Sequence, residues 1–197
     1  MRNVATNEYG KLVDDHAVLF ERLLPGSMAH VWCFLTTREL LATWLGEGCF
    51  ECKIGGSVRL YAMGSSIMGA VSEYRPYSRL GWSMLPNLGS SDGQIGWDSY
   101  VRFELKPRIH QVLLTLTHTP VPYVHAPRVL ALWHALLDRL SASMSQVRPE
   151  PLMRRVDRVL PQYERLLTTP GAPLSEVGDA LSFATGRSYS KSIEPPE

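Results

Sequence analysis

Two histidines stand where the pattern calls for apolar side chains. His118 closes the alternating run 111–118 on the face of Val112, Leu114 and Leu116, and His134 lies between Leu130 and Leu137 in a helical stripe. Imidazole ordinarily titrates near pH 6.5, so a pair converging on one cavity would support acid/base catalysis. Tyr61 or Tyr100 would then be the accompanying phenol in the cyclisation, dehydration or hydrolysis of a bound carbonyl compound. A single histidine on an apolar face is more commonly a hydrogen-bonded core residue. Both readings stand at this point.

Other chemistry-bearing patterns lead nowhere. Cys49 and Cys52 have CxxC spacing, but no second CxxC and no histidine pair completes a tetrahedral zinc site. On a strand over 48–53 the two thiols would also point to opposite faces. No metal is expected. The glycines at 55 and 56 and those between 89 and 96 match neither a P-loop nor a strand-coupled GxGxxG, so no nucleotide or other cofactor is expected. No GxSxG nucleophile elbow is expected, and HExxH is absent from the sequence.

The elements that must carry the histidines follow from hydrophobic period. Residues 17–24, AVLFERLL, end at Pro25-Gly26 and read as a strand. Ser27 caps a short helix over 28–35, and Leu40, Leu41, Trp44 and Leu45 recur at helical spacing in a second, ended by Gly46 and Gly48. From there the period is two. Runs 57–63, 68–74, 79–85, 100–106 and 111–118 alternate, and their short linkers favour antiparallel neighbours. After Pro127 the stripe Val129, Leu132, Trp133, Leu136, Leu140 and Met144 predicts a long helix, with Leu130, His134 and Leu137 on a second face. A helix apolar on two faces needs a partner on each, and the sheet is one of them.

Composition bounds the rest. Twenty basic against nineteen acidic side chains give a formal charge of +1, so no field favours nucleic acid or an anionic membrane. Arg154, Arg155 and Arg158 read as the solvated side of an amphipathic helix. The opening residues contain charges and no unbroken apolar run of roughly 7 to 15 residues, and three cysteines cannot pair completely; the expectation is a cytoplasmic chain.

The runs FERLLPGSMAHVWCFLTTRELLATWLGEG, IGGSVRL, AVSEYRPYSRLGWSM, VRFELKP, LLTLTHTPVP and ALWHALLDRLSASM, in that order, resemble the SRPBCC (START-like) superfamily. The branch they are most similar to is the C-terminal domain of the activator of the heat-shock protein 90 ATPase, in its uncharacterised bacterial form. The likeness spans about residues 17–167 and departs at Leu132, where the residue before Trp133 is commonly Gly. It implies an α+β helix-grip fold: a curved antiparallel sheet wrapped around a long C-terminal helix, with two short helices after the first strand. It also implies a cavity for an apolar or aromatic small molecule.

The expected organisation is a flexible lead-in over 1–15, the helix-grip domain over 16–147, a further docking helix over 148–168 and a tail over 169–197 that could hold a short helix. The Gly/Ser/Asp-rich stretch 86–98 reads as a loop able to cover a pocket mouth. The ligand-binding wall is expected from Trp82, Met84, Val101, Phe103, Leu116, His118, Trp133, His134 and Leu137. Catalysis by His118 or His134 is the alternative, and a co-chaperone role is a third. The last is disfavoured because the chaperone activator also uses an N-terminal domain that the lead-in is too short to supply.

Overall fold

The sharp change of period after residue 45 divides the chain into a helical pair, a run of strands and a helical end. The computed structural model describes residues 9–62, 65–84 and 97–167. Eight strands form one sheet: β1 (Lys11–Val13), β2 (Ala17–Pro25), β3 (Glu47–Phe50), β4 (Ser57–Ala62), β5 (Ser65–Arg75), β6 (Arg79–Met84), β7 (Ser99–Arg108) and β8 (Gln111–Thr119). Their spatial order is β1-β2-β8-β7-β6-β5-β4-β3, and every pair is antiparallel. Strands β3 to β8 therefore follow as hairpins, and only β2 crosses to pair with the last strand. Helices α1 (Met28–Thr36) and α2 (Arg38–Ala42) fill that crossing, and α3 (Ala126–Met144) and α4 (Leu152–Leu167) end the described chain. This is the α+β helix-grip arrangement that the sequence implied.

Strand β7 shows how the sheet separates core from solvent. Ser99, Val101, Phe103 and Leu105 are buried, while Tyr100, Arg102 and Lys106 are exposed. Strictly alternating polarity admits one register only, because a slip of one residue would turn the apolar set outward. The β7–β8 hairpin closes through Ile109 and His110, with His110 in the left-handed region at φ 59°. Helix α1 begins at Ser27, whose side chain accepts from the His30 amide at 3.2 Å, and buries Val31, Trp32, Phe34 and Leu35. Helix α3 holds Pro127 in its first turn, where the missing N–H forfeits no helical bond.

Four expectations change. Residues Lys11–Val13, read as part of a flexible lead-in, pair with β2 as an edge strand, and the Gly10 amide donates to the Tyr163 hydroxyl at 3.0 Å. A strand of three residues has no period to read. The second helix stops at Ala42, leaving Trp44 and Leu45 buried in the turn that follows. Gly48 does not end that helix but belongs to β3, where a Cβ would lie 2.1 Å from the Arg59 carbonyl oxygen. Strand β3 ends at Phe50, so Cys52 lies beyond it. Most of the 86–98 loop and the whole 169–197 tail lie outside the described residues.

Helix α4 packs on α3, burying Val156, Val159 and Tyr163. Fully burying side chains of this size contributes about 1.5–3 kcal/mol each. The α3 helix is thereby enclosed between the sheet and α4, which answers the two apolar faces in its sequence.

Candidate functional site

Residues directly opposed in neighbouring strands share a face. The pairings Val71↔Trp82, Trp82↔Val101, Val101↔His118 and Val18↔His118 thus draw one row across five strands. Beside it runs Leu80, Phe103, Leu116 and Phe20, and Met84 opposes Ser99 at the start of a third row. Helix α3 lays Trp133 on this wall: its ring centre lies 6.0 Å from that of Phe103 and 6.1 Å from that of His118. Trp82 stacks on Phe103 at 5.3 Å and 26°, and Phe50 lies 4.9 Å from Trp82. Trp82, Val101, Phe103, Leu116, His118, Trp133, His134 and Leu137 are all buried, and Met84 is half-buried.

His118 is held by neutral partners. Trp133 Nε1–H donates to its Nδ1 at 3.0 Å, and Ser99 Oγ lies 2.9 Å from its Nε2. An indole nitrogen can only donate, so Nδ1 is the bare nitrogen and the proton sits on Nε2, donated to Ser99. Burial without a counter-charge pushes His118 down to about 4, leaving it neutral near pH 7.

His134 is held by ionised partners. Its Nδ1 lies 2.8 Å from the Tyr163 hydroxyl, and Nε2 lies 3.0 Å from Arg155 Nη2 and 3.4 Å from Asp138 Oδ2. The guanidinium is the nearer and can only donate, which makes Nε2 the acceptor and puts the imidazole proton on Nδ1. Arg155 Nε also donates to Asp138 Oδ2 at 2.7 Å. Burial works to raise the Asp138 carboxyl, but its neighbours His134 and Arg155, whose guanidinium donates to it, hold it below its ordinary 3.8. Burial pushes the Tyr163 phenol up to about 12, so it stays protonated. Tyr9 closes the group, its ring centre 5.1 Å from that of His134.

The two imidazoles therefore do not share a network. His118 faces the β6–β8 wall through Trp133, and His134 faces α4 and the β1 end. Neither phenol considered with them is near: Tyr61 and Tyr100 point outward and are 58% and 52% exposed. Arg155, read as part of a solvated arginine side, turns inward to Asp138 and His134. Ser99, Asp138 and Tyr163 went unrecognised as partners of the histidines. Only Asp138 left a signal, four residues from His134 on one helix face. Among the described residues no group of three or more His, Cys, Asp or Glu side chains could hold a metal ion. Cys49 and Cys52 are free thiols, and burial raises that of Cys52, which disfavours the reactive thiolate.

Residues 26–145 match the family model of the Activator of Hsp90 ATPase homolog 1-like protein. The chain belongs to this family. Solved structures share the fold of this AHSA1-like, SRPBCC-type domain. CalU16 from Micromonospora echinospora superposes with a TM-score of 0.63 at 18% identity, over 82% of this chain and 96% of that one. A conserved protein of unknown function from Enterococcus faecalis gives 0.60 at 20% identity, over 80% and 90%. The Aha1 dimer from Colwellia psychrerythraea gives 0.54 at 17%, over 65% and 95%. At such identities the likeness concerns the fold alone. A search of curated proteins gave no match. Among the described residues no helix is long and apolar enough to cross a membrane.

Proposed function

We propose that this AHSA1-like domain binds an apolar or aromatic small molecule against the α3-bearing face of its sheet. SRPBCC membership suggests small-molecule binding in general. The observation that carries the finer reading is the wall itself, where Trp82, Val101, Phe103, Leu116 and Trp133 meet around one neutral polar pair, His118 and Ser99. Walls of this kind, mostly apolar with a few fixed polar groups, suit flat or aliphatic ligands. A depression of ≈ 260 Å³ on the opposite face is bordered by Glu73, Arg102 and Thr117, and its charges suit an apolar ligand poorly.

Binding is favoured over catalysis because both nitrogens of each imidazole are engaged by side chains. A general base needs a lone pair within reach of a substrate proton. His118 has given its lone pair to Trp133, and His134 has given its own to Arg155.

Native mass spectrometry of protein purified from its own source tests the reading. The expected spectrum carries a mass excess of one small molecule that is lost on denaturation. A spectrum at the bare chain mass, together with no saturable uptake of an anilinonaphthalene sulfonate dye, would overturn it.

A further inference from the structure

Three indoles of the core show what a buried N–H ordinarily requires. Trp44 Nε1–H donates to the Phe34 carbonyl at 2.9 Å and Trp133 Nε1–H to His118 at 3.0 Å, but Trp82 Nε1 has no hydrogen-bond partner among the described residues. Trp82 is only 2% exposed. A buried donor without an acceptor has lost its water and gained nothing in return, so it is a standing demand for an acceptor. The groups that surround the indole have none to offer. Val71 and Val101 oppose it in the neighbouring strands, and Phe50 and Phe103 lie against its ring. The nearest polar member of its row, His118, already has both nitrogens engaged.

We propose that Trp82 Nε1–H is the ligand-orienting donor of the binding wall, and that the ligand is a flat aromatic molecule carrying a neutral acceptor oxygen such as a ketone carbonyl. The inference rests on the ligand-binding reading above and narrows it. Flatness follows from the stack of Trp82 on Phe103, which a planar molecule can extend. Neutrality follows from the uncharged surroundings of the indole, where an anion would lack a counter-charge.

Fluorenone and fluorene test the proposal, because they share one planar frame and differ in the carbonyl alone. Titrations followed by tryptophan fluorescence are expected to give a fluorenone affinity about tenfold or more above that of fluorene, the scale of one hydrogen bond made to an otherwise unsatisfied donor. Trp82→Phe, which alters the wall itself, is expected to weaken the binding of both probes and to bring the ratio of their affinities to about one. In wild-type protein, where folding is not at issue, the Trp82 indole N–H resonance is expected to move downfield with fluorenone and to stay in place with fluorene. Equal affinity for the two probes, with an unmoved indole resonance, overturns the donor role while leaving the binding reading intact; it is the result expected if a water already serves the N–H. Failure of both probes to bind overturns the proposed ligand, and together with a native spectrum at the bare chain mass it overturns the binding reading as well.

Discussion

His118 and His134 lie equally buried on the two sides of α3, yet one is surrounded by neutral groups and the other by charge. His118 meets an indole and a hydroxyl, so its charged form finds no counter-charge and burial alone governs it. His134 meets Arg155, Asp138 and Tyr163, so the same side chain sits in a lattice of fixed dipoles and ions joining α3, α4 and the β1 end. The difference teaches that burial alone does not assign a histidine's role. The neutral site lies on the wall proposed for a ligand, and the ionic one fastens α4 to the domain.

Trp133→Ala strikes the neutral side hardest, because it removes a buried ring and the donor that fixes the His118 tautomer. The expected loss is about 3–5 kcal/mol in urea unfolding. A loss under about 1 kcal/mol would show that the wall tolerates a void there and that the network is peripheral.

Acidification probes the neutral side next. With His118 near 4 in the folded chain and about 6.5 when unfolded, the unfolded state binds more protons in that interval, so stability falls as pH drops from 6.5 toward 4 and levels off below. At about 1.4 kcal/mol per pKa unit the full loss attributable to His118 is about 3 kcal/mol. His118→Gln retains one acceptor and one donor and is expected to flatten that slope in denaturant melts at stepped pH. An unchanged slope would assign the acid sensitivity to other groups, among them His125, which burial also lowers.

The smallest expected effect probes the ionic side. Tyr163→Phe keeps the ring and removes the oxygen that accepts from the Gly10 amide and His134 Nδ1, for about 1–2 kcal/mol. Hydrogen exchange at Gly10 should quicken in step. Protection at Gly10 equal to that of the parent would mean that β1 is held by its pairing with β2 and not by the phenol.

Period made most of the scaffold legible. Alternation in 100–106 and 111–118 produced β7 and β8, and the double stripe after Pro127 produced α3, because side-chain direction follows directly from backbone repeat. Strand β1 was illegible, since three residues cannot show a period and its order comes from β2 and Tyr163. The wall residues Trp82, Val101, Phe103 and Leu116 could be named in advance, since each occupies the apolar phase of a strand. Their placement on one face against Trp133 depended on register across hairpins.

What the sequence determined by itself was therefore which side chains turn inward, including both histidines, a local matter of pleat and helical turn. What only the tertiary structure decided was what each inward group meets. Ser99 stands 19 residues from His118, and Tyr163 stands 29 from His134. Such pairs have no common period in the chain. They exist because strand pairing and helix packing bring distant residues within a hydrogen bond's reach, and a buried polar group is then stable only where that meeting satisfies it.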